Sequence, residues 1–136
     1  MPKIIDLSHE ISNDSPVYPG DDKIALTKHK DYEKDGYTLY QLNTNMHVGT
    51  HIDGPMHLAN DGKNISEYDL HTFYGNASVI DAKGQKEITW HESYDALINH
   101  PILMIHTGFS KYYGTETYDT NHPVLTIDFA LRIVQK

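Results

Sequence analysis

Ala77-Ser-Val-Ile-Asp-Ala82 and Ile102-Leu-Met-Ile-His106 are short apolar runs that flank Thr89-Trp-His-Glu92-Ser-Tyr-Asp-Ala-Leu-Ile-Asn99. Each run has the length and β-branched content of a strand. Thr89 and Glu92 have the spacing of a capping box, which predicts a helix over residues 90–99 that Pro101 ends. Strand, helix and strand in this order favour parallel pairing in a mixed α/β domain.

Working outward, residues 4–7, 24–27 and 37–46 read as further strands. Two turn clusters, Asn13-Asp-Ser-Pro16 and Tyr18-Pro-Gly-Asp21, separate the first two. Ser66 with Asp69 predicts a helix start and Gly75 its stop. Thr126 can cap a last helix that buries Ile127, Ala130, Leu131 and Val134 on one face. With 136 residues and no repeat or linker, the chain reads as a single domain over 1–136.

A net charge of −8 argues against nucleic acid or an anionic membrane surface as the main partner. The absence of cysteine excludes disulfides and thiolate ligands. The first residues do not read as a signal peptide, and no stretch approaches the ~20 apolar residues of a membrane span. A cytoplasmic protein is the expectation.

Three of the ten histidines fall in His47-Val-Gly-Thr-His51-Ile-Asp53-Gly-Pro-Met-His57. On a regular strand His47 and His51 would stand roughly 13 Å apart, too far to share an ion. On a tight bend or helical turn they approach to about 5–6 Å. Gly49 permits such a bend, and Gly54-Pro55 forbids a long helix. The expectation is a strand ending near Met46 and then a bend carrying the ligands. Asp53 completes a set of two nitrogens and one oxygen, which leaves a coordination position open for chemistry. His57 is then a neighbouring imidazole able to move protons. Thr50 would organise the bend. The other seven histidines lack this pattern: five read as exposed or locally hydrogen-bonded, His106 as a core histidine and His122 as a loop residue.

The pattern His47-x-Gly49-Thr50-His51-x-Asp53-x-Pro55-x-His57 resembles the signature of the cyclase-like metal-dependent hydrolases, a family that includes bacterial kynurenine formamidase (arylformamidase) and isatin hydrolase. All seven positions of that signature are present. Asp6-Leu-Ser, Pro16-Val-Tyr-Pro-Gly-Asp21, Thr107-Gly-Phe and His122-Pro-Val-Leu match in order, so the resemblance covers nearly the whole chain. It implies His47, His51 and Asp53 as metal ligands, with zinc ahead of manganese, and His57 as the catalytic acid/base. It also implies a swivelling β/β/α fold and a homodimer or higher homo-oligomer. The reaction expected is hydrolysis of an aryl formamide, N-formylkynurenine foremost, with Tyr18 a candidate for lining the substrate site. A cyclic amide or lactone hydrolase and an inactive metal-binding oligomer are the alternatives.

The chain departs from the family in length. Family members continue beyond the last helix into another strand, and further on supply a histidine and a glutamate to a second metal that Asp53 bridges. No residue here matches those positions. The expectation is a domain lacking the C-terminal part of the family fold, weakly active and prone to self-association.

Overall fold

The computed structural model describes residues 3–135. The chain forms two compact units, Met1–Gly54 and Pro55–Lys136. None of the described helices is long and apolar enough to cross a membrane.

The first unit is built on an antiparallel hairpin of β1 (Ala25–Lys30) and β2 (Leu39–Asn43), joined through the single-turn helix α1 (Tyr32–Asp35). Asp31 starts that turn by accepting the Glu33 N–H, and Gly36 ends it in the left-handed region at φ 78°. The Lys28 ammonium beside Asp31, helped by the Glu33 amide, holds the Asp31 carboxyl below the usual carboxylate range. Residues 4–7 form no strand. Asp6 turns its carboxylate onto the Ser8 amide and hydroxyl, a local bond that competes with pairing. Asn13 instead supplies the sheet-like contact. Its side chain accepts from Leu26 N–H (2.6 Å) and donates to Leu26 C=O (3.0 Å).

The second unit holds β3 (Ala77–Asp81), β4 (Glu87–Ile88), α2 (Tyr94–Leu97), β5 (Ile102–His106), α3 (Glu116–Thr120), β6 (Val124–Leu125) and α4 (Ile127–Val134). β3 pairs with β5 in parallel, Ala77 opposite Ile102 through Asp81 opposite His106, and β4 pairs with β6 in parallel. The strand–helix–strand order therefore yields the parallel α/β arrangement expected of it. The core is Ile80, Ala82, Ile88, Tyr94 and Phe129, with Trp90, Leu103, Ile105 and Ile133 packed around it. Rings of Trp90, Tyr94 and Phe129 meet pairwise at 5.5–6.1 Å between centroids, in the tilted and edge-on geometries that aromatic quadrupoles favour.

Local expectations change in the second unit as well. The helix over 90–99 shrinks to Tyr94–Leu97, because the buried Ser78 hydroxyl accepts the Asn99 and His100 amides (3.0 and 3.1 Å) and draws the chain out of the helix. The helix after Ser66 becomes two 3₁₀ turns, Ile65–Glu67 and Leu70–Phe73. Glu67 reaches back to the Asn64 amide (2.7 Å) and Asp69 accepts the His71 amide (2.8 Å), so each cap starts its own short turn. His106 is exposed, on the outer face of β5.

The last helix starts where expected, with Thr126 Oγ1 accepting the Phe129 amide at 3.3 Å, but it buries the opposite face. Phe129 is fully buried and Ile133 packs on the core, whereas Ile127, Leu131 and Val134 are 79%, 58% and 85% exposed. Apolar residues stand at six of its eight positions, so the stripe was ambiguous, and the larger ring took the core. Phe129→Ala should therefore cost about 3–5 kcal/mol of stability. Leu131→Ala should stay within about 0.5 kcal/mol, as exposed substitutions do. Urea unfolding of the two variants checks the assignment, and equal losses would contradict it.

Candidate metal centre

β2 ends at Asn43, and the chain then bends through residues 46–50 rather than continuing extended. Gly49 makes the bend possible with φ 61°, a conformation in which a side chain would be strained. Thr50 Oγ1 accepts the His9 amide (3.0 Å), which pins the bend to the N-terminal segment. Val48, between the two histidines, is buried at 5% exposure, while the His47 and His51 side chains stay 35% and 31% exposed.

The bend brings three of the expected residues together. The His47 and His51 rings stand edge to face with centroids 5.4 Å apart. Asp53 Oδ1 lies 2.8 Å from His47 Nδ1 and 3.4 Å from His51 Nε2. One donor atom from each residue can be chosen so that all lie within 4.8 Å of one another. Bonds of about 2.0–2.1 Å around tetrahedral zinc put ligands roughly 3.4 Å apart. The cluster therefore fits a single divalent ion after small side-chain adjustments.

Hydrogen bonding strengthens that fit. His51 Nδ1 is 3.0 Å from the Gly49 carbonyl, which accepts, so Nδ1 carries the proton and Nε2 turns its lone pair toward Asp53. An imidazole lone pair facing a carboxylate oxygen at 3.4 Å is repulsive unless a proton or cation lies between them. Asp53 keeps 52% of its side chain exposed, so an ion there would be reachable by a small molecule.

Asn45 was not singled out by the sequence, where it fell within the expected strand 37–46. Its Oδ1 accepts the His47 amide (2.9 Å) and its Nδ2 donates to Asp21 Oδ2 (3.0 Å). The available signal was the habit of asparagine to bond the amide two residues on. Asp21 in turn closes the turn whose carbonyl comes from Tyr18 (3.0 Å), so Tyr18 sits, 65% exposed, on the turn that braces the ligand bend. His57 lies in the second unit, exposed on the 3₁₀ turn Pro55–His57.

The model of the Cyclase family matches residues 5–136. The chain belongs to the Cyclase family. Among its relatives, the kynurenine formamidase of Geobacillus thermodenitrificans is 34% identical over 107 residues, 76% of this chain and 51% of that protein. The kynurenine formamidase of Bacillus anthracis is 33% identical over 87 residues, covering 63% and 42%. The fold is that of an isatin hydrolase solved with the product analogue thioisatinate. The match has a TM-score of 0.74 at 20% identity and covers 97% of this chain and 63% of that one. This Cyclase chain thus spans about half the length of the curated relatives it matches.

If the cluster holds an ion, His51→Ala and Asp53→Ala should each lose most of it, while His106→Ala keeps it. Elemental analysis of protein purified with zinc or manganese measures this. Equal metal in all four proteins would remove the cluster from consideration.

Proposed function

We propose that this Cyclase chain, acting as one domain, carries the metal-binding part of an amide hydrolase that cleaves an aryl formamide of the N-formylkynurenine type. The observation that carries the reading is the convergence of His47, His51 and Asp53 at one bend, in a chain similar to kynurenine formamidases.

In this reading His47 and His51 supply nitrogen and Asp53 supplies oxygen to a divalent cation, zinc ahead of manganese. Such a cation supplies Lewis acidity, which activates water near neutral pH and polarises the formyl carbonyl. Gly49 and Thr50 hold the bend so that the three donors are already convergent before binding. Water adds to the formyl carbon and the carbon–nitrogen bond breaks. The imidazole of His57 takes up the proton released by the water and passes it to the departing amine nitrogen, leaving formate and the free amine. Tyr18 offers an exposed aromatic face to the ring of the substrate. Self-association into a homo-oligomer belongs to the same reading and is supported by the uncovered apolar side chains of α4.

The test is formate release from N-formylkynurenine by metal-loaded protein. His57→Ala should retain the metal and lose about 10²–10⁴-fold in turnover, the usual worth of a positioned acid/base. An unchanged rate in that variant would reduce His57 to a bystander. Metal retention with no turnover on formamide, cyclic amide or lactone would replace the enzyme reading with that of a metal-binding protein.

A further inference from the structure

The second unit contains a cavity of about 360 Å³ whose lining has a charge opposite to that of the chain. Lys83, Lys86 and Lys111 all line it, three of the eleven basic residues in a protein of net charge −8. No aspartate or glutamate is among the lining residues. Gathering ammonium groups round one concavity costs repulsion, and an anion between them relieves it.

The cavity sits where open α/β sheets bind ligands, beyond the carboxyl ends of parallel strands. Lys83 follows β3, and Thr107 follows β5, the two strands being paired along their whole length. Lys86 immediately precedes β4. The wall is built. Gly108 adopts φ 66°, and a Cβ there would fall 3.0 Å from Lys83 Cγ, so the stem of that lysine lies on the glycine. Lys83 is partly neutralised by Asp81 (3.0 Å), whose carboxyl is held low by the Lys83 amide and ammonium. Among the described residues neither Lys86 nor Lys111 has a carboxylate partner. Thr107 Oγ1 accepts the Phe109 amide (3.2 Å), which leaves its own proton to donate. Phe109 and Tyr112 present rings 4.9 Å apart, and Lys111 Nζ lies 4.9 Å from the Tyr112 centroid.

We infer that this cavity is a second binding site, for a small molecule carrying an oxyanion group, phosphate or carboxylate, on a flat apolar body. The ammonium groups of Lys86 and Lys111 and the Thr107 hydroxyl take the oxyanion, and the Phe109 and Tyr112 rings take the flat part. The size suits a small molecule, since pockets for such ligands begin at about 300 Å³. The net negative charge disfavours a long polyanion, whose other charges would meet the rest of the surface. Its lining comes wholly from the second unit, whereas His47, His51 and Asp53 come from the first.

The site is tested by titrating the full chain with inorganic phosphate, phenyl phosphate and benzoate, followed by calorimetry and by the amide NMR shifts of Gly84 and Gly108. Phenyl phosphate should bind roughly 3–10-fold more tightly than inorganic phosphate, the worth of one ring contact. Its affinity should fall roughly tenfold or more in Lys86→Ala/Lys111→Ala, two exposed positions whose replacement leaves the core intact. The relative affinity of benzoate and phenyl phosphate tells carboxylate from phosphate as the favoured group. Circular dichroism confirms the fold of the double variant, and metal content unchanged from the parent separates this site from the His47 cluster. Equal affinity in parent and variant, shifts confined to residues outside the cavity, or no binding at millimolar ligand would overturn the site. Tighter binding of an oligonucleotide than of phenyl phosphate would overturn the small-molecule assignment.

Discussion

Burial of Phe129 against Ile80, Ile88, Trp90 and Tyr94 holds the second unit together, and much else in that unit follows from it. A two-stranded parallel sheet and a two-residue strand pair are too small to persist alone, because each exposes one face or both. Phe129 supplies the missing cover by bringing α4 onto the residues that β3 and β4 turn inward. Arg132, 5.7 Å from the Trp90 ring, extends the same contact outward as a cation over an aromatic face. Once α4 is seated in this way, its residues Ile127, Leu131 and Val134 must point to solvent.

The same packing sets where the loops that follow the strands emerge. β3 and β5 run parallel in register, so the loops that follow them leave on the same side, and those loops carry Lys83 and Thr107. In the first unit the constraint is different. There the hairpin delivers the chain at Asn43, and a single positive-φ glycine converts a strand exit into a bend with two histidines on one side. Two imidazoles and a carboxylate thereby stand close enough together that they could hold a metal ion.

Membership of the Cyclase family and the bend geometry rest on separate observations. The family match extends over residues 5–136, while the bend follows from distances among three side chains. The isatin hydrolase likeness concerns the fold alone.

What the sequence determined by itself is local and periodic. Apolar runs with turn residues between them placed β3 and β5 almost to the residue, Thr126 marked the start of α4, and a glycine between histidines announced the bend. The order strand, helix, strand was enough for the parallel α/β class, and the seven signature positions were enough for the candidate ligands. The choices that needed tertiary structure were those between local options of similar energy. Both faces of α4 are apolar, and only the space beside Ile80 and Tyr94 selected Phe129. The Thr89–Glu92 pattern is a sound helix start, but Ser78, twenty-one residues before Asn99, captured the amides and shortened the helix. The bracing of His47 through Asn45 to Asp21 and the meeting of Lys83 and Lys86 from one loop with Lys111 from another were likewise invisible, because long-range contacts leave no period in the chain.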